Sequence, residues 1–161
     1  LKTIILLLLG LTVLSCKTTD SKSEPSKKET IQTFEPNYQV AIQFINDYLA
    51  YSNDFKSEVG LIEWVNKRTD VTVGFKAELK RIIDEAEKND PELGLGFDPV
   101  LDAQDNPSKF EIDNTDSEYL IVKGVKWADF KLTLKLKFEE NNWLINGSGI
   151  INVPEIKRIK R

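Results

Sequence analysis

The chain contains no histidine and one cysteine, Cys16. Without histidine there is no Ser-His-Asp or Cys-His nucleophile system, and the usual zinc ligand sets cannot be assembled. A single cysteine cannot close an intrachain disulfide. Net positive charge is also lacking: 22 basic against 26 acidic side chains leave a formal charge of −4. That balance argues against nucleic acid as a partner, because phosphate binding needs a net basic surface or a dense basic patch. An enzyme would have to work with carboxylates, Lys, Tyr or Ser. Paired carboxylates hydrolyse glycosidic bonds only when held about 5 to 10 Å apart across a cleft, and acidic residues are too abundant here for any pair to stand out. The reading is therefore of a non-enzyme with no cofactor.

Long apolar runs are scarce as well. The only one, Ile4 to Leu9 with Leu11 to Leu14, is short for a bilayer span, follows the basic Lys2 and ends at the small residue Ser15. The run Val13-Leu14-Ser15-Cys16 resembles a lipobox. The resemblance to bacterial lipoproteins implies that residues 1–15 are a signal peptide and that Cys16 becomes the lipid-modified first residue of the mature protein. An ordinary secretory signal, or a membrane helix that happens to hold a cysteine, is the alternative. Loss of Lys2 with the signal takes the formal charge to −5, and acylation of Cys16 leaves no thiol for catalysis or metal binding. Two or three acyl chains, at about 0.8 kcal/mol per buried CH₂, anchor a protein effectively permanently. Lys17 directly after the cysteine is similar to lipoproteins passed on to the outer membrane, which points to the periplasmic face of that membrane, with surface display as a weaker option.

Residues 16–33 are rich in Lys, Ser, Thr, Glu and Pro and poor in apolar side chains, a composition that cannot repay the entropy of folding. The segment reads as a tether of roughly 25 Å typical reach. Residues 34–161 form one domain. Tyr38, Ile42, Ile45 and Leu49 recur at helical spacing and predict an amphipathic helix over residues 37–53, capped by Asn37. A second helix is predicted over 73–88, with Asp70 or Thr72 as cap and Phe75, Leu79, Ile82, Ile83 and Ala86 on one face. Between them Leu61, Ile62, Trp64 and Val65 make an apolar knot without an assignment.

After Gly94 and Gly96 the period changes to two. Phe130, Leu132, Leu134, Leu136 and Phe138 alternate with Lys131, Thr133, Lys135 and Lys137, a strand with one buried and one wet face. Glu140, Asn141 and Asn142 supply a turn, and residues 143–151 return as the hairpin partner. Two earlier strands lie at 110–112 and 119–125, joined by a polar turn over 113–117. Two N-terminal helices followed by about four antiparallel strands make an α+β domain with helices packed on one sheet face.

The segment Gly94-Leu-Gly-Phe-Asp98-Pro-Val-Leu-Asp102-Ala-Gln104-Asp105-Asn-Pro107 concentrates oxygen donors. If residues 99–104 form a short helix, Asp98, Asp102 and Asp105 share a face and could bind Ca²⁺ or a cationic partner. The local reading makes Asp98 a helix cap before Pro99 and makes Asp105-Asn106-Pro107 a turn. Lys131, Lys135 and Lys137 could receive an anionic glycan or a partner protein, or simply keep the strand solvated. The basic end, residues 155–161, could meet anionic headgroups or fray.

Several strings, among them Ala41-Ile-Gln-Phe-Ile-Asn-Asp-Tyr-Leu49, the Gly94 to Asp105 run and Trp143-Leu-Ile-Asn-Gly-Ser-Gly-Ile-Ile-Asn-Val-Pro154, resemble a family of bacterial envelope lipoproteins, domain of unknown function 3828. The resemblance implies a cystatin-like or nuclear-transport-factor-2-like arrangement, with helices cradled by a curved sheet, and supplies no catalytic residues. Three functions are expected from the residues themselves. One is a lipid-tethered, non-catalytic module that binds an envelope protein or glycan through Asp98, Asp102, Gln104 and Asp105. Another is a small-molecule pocket in the cone of the sheet, lined by Trp64, Tyr119, Trp127 and Trp143. Calcium binding at the acidic loop is a third.

Overall fold

The computed structural model describes residues 35–160. The signal, Cys16 and the tether fall outside them. Helix α1, Tyr38–Ser52, starts where the Asn37 side chain accepts a hydrogen bond from the Gln39 N–H at 3.2 Å. Helix α2, Leu61–Asn66, and helix α3, Val73–Asn89, follow. Of the two candidate caps for α3, Thr72 holds the position: its Oγ1 accepts from the Phe75 N–H at 3.0 Å. Four strands complete the domain: β1 Phe110–Asp116, β2 Tyr119–Gly124, β3 Lys131–Glu139 and β4 Asn142–Ser148. They pair antiparallel in sequence order as one meander. The protein is thus α+β, with three helices rather than two.

The additional helix is the apolar knot. Six residues are too few to display helical periodicity, and α2 has no side-chain cap. What holds it is aromatic packing. Trp64 stacks on Tyr51 of α1, with ring centres 4.9 Å apart and planes inclined by 22°. Its other neighbours include Tyr48 at 5.5 Å and the Arg68 guanidinium at 4.9 Å. Arg68 then forks onto Asp70 at 2.7 and 2.5 Å and reaches Asp47 of α1 at 3.0 Å.

Helix α1 lies across the sheet and touches all four strands. Its buried stripe of Ala41, Phe44, Ile45, Tyr48 and Leu49 meets Leu120, Val122, Leu132, Leu134, Leu136 and Ile145, none more than 2% exposed. The free edge of β4 is occupied by the chain entering α3: the Ile145 N–H donates to the Asp70 carbonyl at 2.8 Å, and the Thr72 N–H to the Ile145 carbonyl at 2.9 Å.

Two turns differ from expectation. The β3–β4 loop is the pair Glu140-Asn141, with φ of 48° and 65°, and Asn142 already belongs to β4, opposite Glu139. Positive φ at both central residues matches the twist of the flanking strands. Residues 113–116, read as a polar turn, continue β1 beyond a register shift at Asp113. The Asp113 carboxylate meets Lys131 at 2.7 Å and Lys123 at 3.3 Å, which are strand neighbours and not sequence neighbours. A charged run that looks like a loop therefore becomes a strand through cross-strand pairing.

The outer face of the sheet is not wholly wet. The C-terminal segment, including the short helical turn Glu155–Lys157, folds back over it. Thr133 is only 3% exposed and donates its hydroxyl to the Lys157 carbonyl at 2.7 Å. The Lys157 ammonium pairs with Asp116 at 3.2 Å. Frayed is thus the wrong description for residues 155–157.

Candidate functional site

The oxygen-rich segment forms a folded loop whose geometry differs from the expected helix. Gly94 and Gly96 take φ of 61° and 72°, values open to glycine without steric cost, and Asp102 is also left-handed at 54°. The reversal at Asp102 turns the chain back on itself, so that Asp98 and Ala103 bridge through N–H to carbonyl bonds of 2.9 and 3.4 Å. No helix forms over 99–104, and the shared face for Asp98, Asp102 and Asp105 is not created.

Asp98 acts as a cap without a helix. One carboxylate oxygen accepts from the Val100 and Leu101 N–H groups at 2.8 and 3.0 Å, and the other accepts the Tyr48 hydroxyl at 2.6 Å. Burial raises the Asp98 carboxyl above its ordinary value, opposed by these three hydrogen bonds. Burial and the adjoining carboxylate push the Tyr48 hydroxyl upward too. The pair is a closed clamp between α1 and the loop.

A second clamp joins the loop to the end of β4. The Ser148 hydroxyl donates to the Val100 carbonyl at 2.7 Å, and the Ile150 N–H to the Pro99 carbonyl at 3.1 Å. Val100 and Leu101 are buried. Gln104 and Asp105 remain exposed and Asp102 is half-buried, with Gln104 tied to the Gly96 carbonyl at 3.1 Å. Asp102 lies by the C-terminal segment, lining a recess of about 420 Å³ with Glu155 and Arg158. Among the described residues no group of three His, Cys, Asp or Glu side chains is placed to hold a metal ion. The acidic loop thus separates into one inward carboxylate and a surface group of Asp102, Gln104 and Asp105.

The four aromatics assigned to a common pocket do not meet. Trp64 cements α1 to α2, and Trp143 packs on Phe138 at 5.3 Å. Trp127, 45% exposed, leans on Phe130 at 5.1 Å. Tyr119 lies on the sheet face away from the helices, with the Lys157 and Lys135 ammonium groups 5.0 and 5.4 Å from its ring centre. Tyr119 lines a small cavity of about 150 Å³ beneath the C-terminal segment. The helix side of the sheet is filled by buried aliphatic and aromatic side chains. Lys131, Lys135 and Lys137 each have a carboxylate partner, Asp113, Glu118 and Glu139 respectively.

What sequence reasoning missed is a groove of about 670 Å³ flanking the loop, between α1 and the segment that enters β1, with Asn53, Asn106, Ser108 and Lys109 on its walls. Asn53, the C-cap of α1, donates to the Asn106 side chain at 3.3 Å. Asn106-Pro107 reads locally as a turn, and nothing in the sequence brings it to the end of α1. Compared with protein-family models, curated proteins and solved structures, the chain matches none, so the family likeness rests on the quoted strings alone.

Proposed function

We propose that this is a lipid-anchored, non-catalytic module of the cell envelope that recognises a protein or glycan partner through the loop surface carrying Asp102, Gln104 and Asp105. Anchoring follows from the lipobox-like run ending at Cys16, with the outer membrane's periplasmic face as the location. The observation that carries the recognition reading is the double clamp. Tyr48 and Ser148 fix the loop from two sides, so its outward polar side chains are presented without the ordering cost that a mobile loop incurs on binding. Asp98 belongs to the clamp and drops out of the contact group. The Asp98 carboxylate already accepts the Tyr48 hydroxyl and two backbone N–H groups, so its oxygens are committed to holding the loop, which favours a structural over a catalytic part for this pair. A cystatin-like arrangement is part of the same proposal, supported by one helix lying across an antiparallel meander.

Crosslinking in intact envelopes tests it. The Asp102→Ala, Asp105→Ala double variant should lose a crosslinked partner that the parent chain captures, and Cys16→Ser should move the protein from the membrane to the soluble fraction. A parent chain that captures nothing, or an unchanged partner yield in the double variant, would refute recognition by this loop. Membrane attachment insensitive to Cys16→Ser would refute the anchor. A small-molecule reading has one observation in its favour, the cavity under Tyr119, although about 150 Å³ is small beside the several hundred Å³ usual for ligand sites.

A further inference from the structure

We propose that the groove between α1 and residues 106–109 binds an acidic saccharide. The inference rests on the recognition reading above and names the ligand class for the flank of that surface. Its first support is charge. In a chain with 26 acidic side chains, the described residues that line this groove include no carboxylate and one cation, Lys109. Four other recesses each hold at least one acid: Asp70 in one, Glu63 and Glu87 in another, then Asp102 with Glu155, and Asp116. Lys109 forms no ion pair with a described residue. An anionic ligand would meet the Lys109 ammonium here with no described carboxylate in the lining itself.

The neutral groups suit hydroxyls. The Asn53 amide nitrogen is committed to the Leu49 carbonyl at 2.8 Å and to the Asn106 oxygen at 3.3 Å. That leaves the Asn53 oxygen as an acceptor and the Asn106 nitrogen as a donor, with the Ser108 hydroxyl able to act as either. Sugar hydroxyls both donate and accept, so such a mixed set can be satisfied along a saccharide. Ala50 and the edge of Leu49 provide a small apolar floor.

An extended peptide fits less well. Adding a strand needs an outward-facing backbone pair, and the nearest one, at Phe110, is already bonded by the Asn46 side chain on both its N–H and its carbonyl. The groove therefore presents side chains rather than a strand edge.

Calorimetric titration of the purified full chain with tri-galacturonic acid, with maltotriose as the neutral sugar and tri-glutamate as the acidic peptide, decides the matter. Tri-galacturonic acid should bind best and lose affinity with added salt. Asn106→Ala with Ser108→Ala should weaken it by about tenfold or more, while Lys109→Gln should abolish its advantage over maltotriose. Ser108 and Lys109 are exposed and Asn106 is half-buried, and an unchanged melting temperature confirms folding. No binding of either sugar, equal binding of both by the parent chain, stronger binding of tri-glutamate, or indifference to both variants overturns the proposal. Failure here alongside intact partner capture through Asp102 and Asp105 would remove the saccharide and leave the recognition loop standing.

Discussion

The Asn46 side chain brackets the Phe110 peptide: its oxygen accepts from the Phe110 N–H at 2.8 Å, and its nitrogen donates to the Phe110 carbonyl at 3.1 Å. One amide on α1 thus replaces the neighbour that the first residue of an edge strand lacks. It sets where β1 begins and keeps that part of the edge from pairing with another chain. The same nitrogen also reaches the Ile42 carbonyl at 2.9 Å, which holds the rotamer.

Asn46→Ala should therefore lower stability by about 2 to 3 kcal/mol, since two hydrogen bonds disappear and a part-buried peptide is left unpaired. Asn46→Asp keeps the acceptor and loses the donor, so its loss should be intermediate if charge adds little. Urea denaturation measures both. An alanine variant as stable as the parent would show that water replaces the bracket.

The clamp at Asp98 carries a pH signature. Its carboxyl is raised in the folded protein above the ordinary 3.8, burial being the largest cause. The folded state therefore holds the proton to higher pH than the unfolded state does. From this residue alone, stability should fall as pH rises from the ordinary carboxyl value through the raised one. Asp113 acts in the opposite sense. The Lys131 hydrogen bond, followed by the contact with Lys123, lowers its carboxyl, so its contribution is lost as pH falls. Asp98→Asn retains an acceptor for Val100 and Leu101, with Tyr48 turning its hydroxyl to accept. Subtracting its stability–pH curve from that of the parent should isolate a component with the Asp98 sign. A difference curve that rises with pH would contradict the assignment.

Gly149 tests the other clamp. Its φ is 56°, and a Cβ there would collide with the carbonyl oxygens of Pro99 and Val100, which belong to the loop itself. Gly149→Ala should cost about 3 kcal/mol or more, in the range of strained backbone substitutions, and should loosen the loop. Thermal melting and amide exchange at Val100 and Leu101 report the two effects. Unchanged exchange would mean that β4 gives way instead.

Thr133→Val removes the hydroxyl that holds the Lys157 carbonyl while keeping the side-chain volume. Global stability should drop by only about 1 kcal/mol, but trypsin should cut after Lys157 and Arg158 markedly faster. Equal cleavage rates would place the hold elsewhere, in the Lys157–Asp116 pair or the contact with Tyr119.

Periodicity and local chemistry were legible in the sequence: the stripe of α1, the alternation of β3, the cap at Asn37, the choice of Asp70 or Thr72 for α3, and the turn at Glu140 and Asn141 all depend on neighbours within a few residues. So was the α+β class, which is their sum. The missing histidine also constrains the chemistry before any coordinates are considered. Tertiary structure alone decided the rest, because each remaining feature joins residues far apart in the chain. Six residues of α2 became a helix because Trp64 found Tyr51 on α1. Residues 113–116 became a strand because Asp113 found Lys123 and Lys131. Asp98 left the candidate contact group because Tyr48, fifty positions earlier, took its free oxygen. The groove at Asn53 and Asn106 exists only where the end of one helix meets the entry of a distant strand, and no local pattern encodes that meeting.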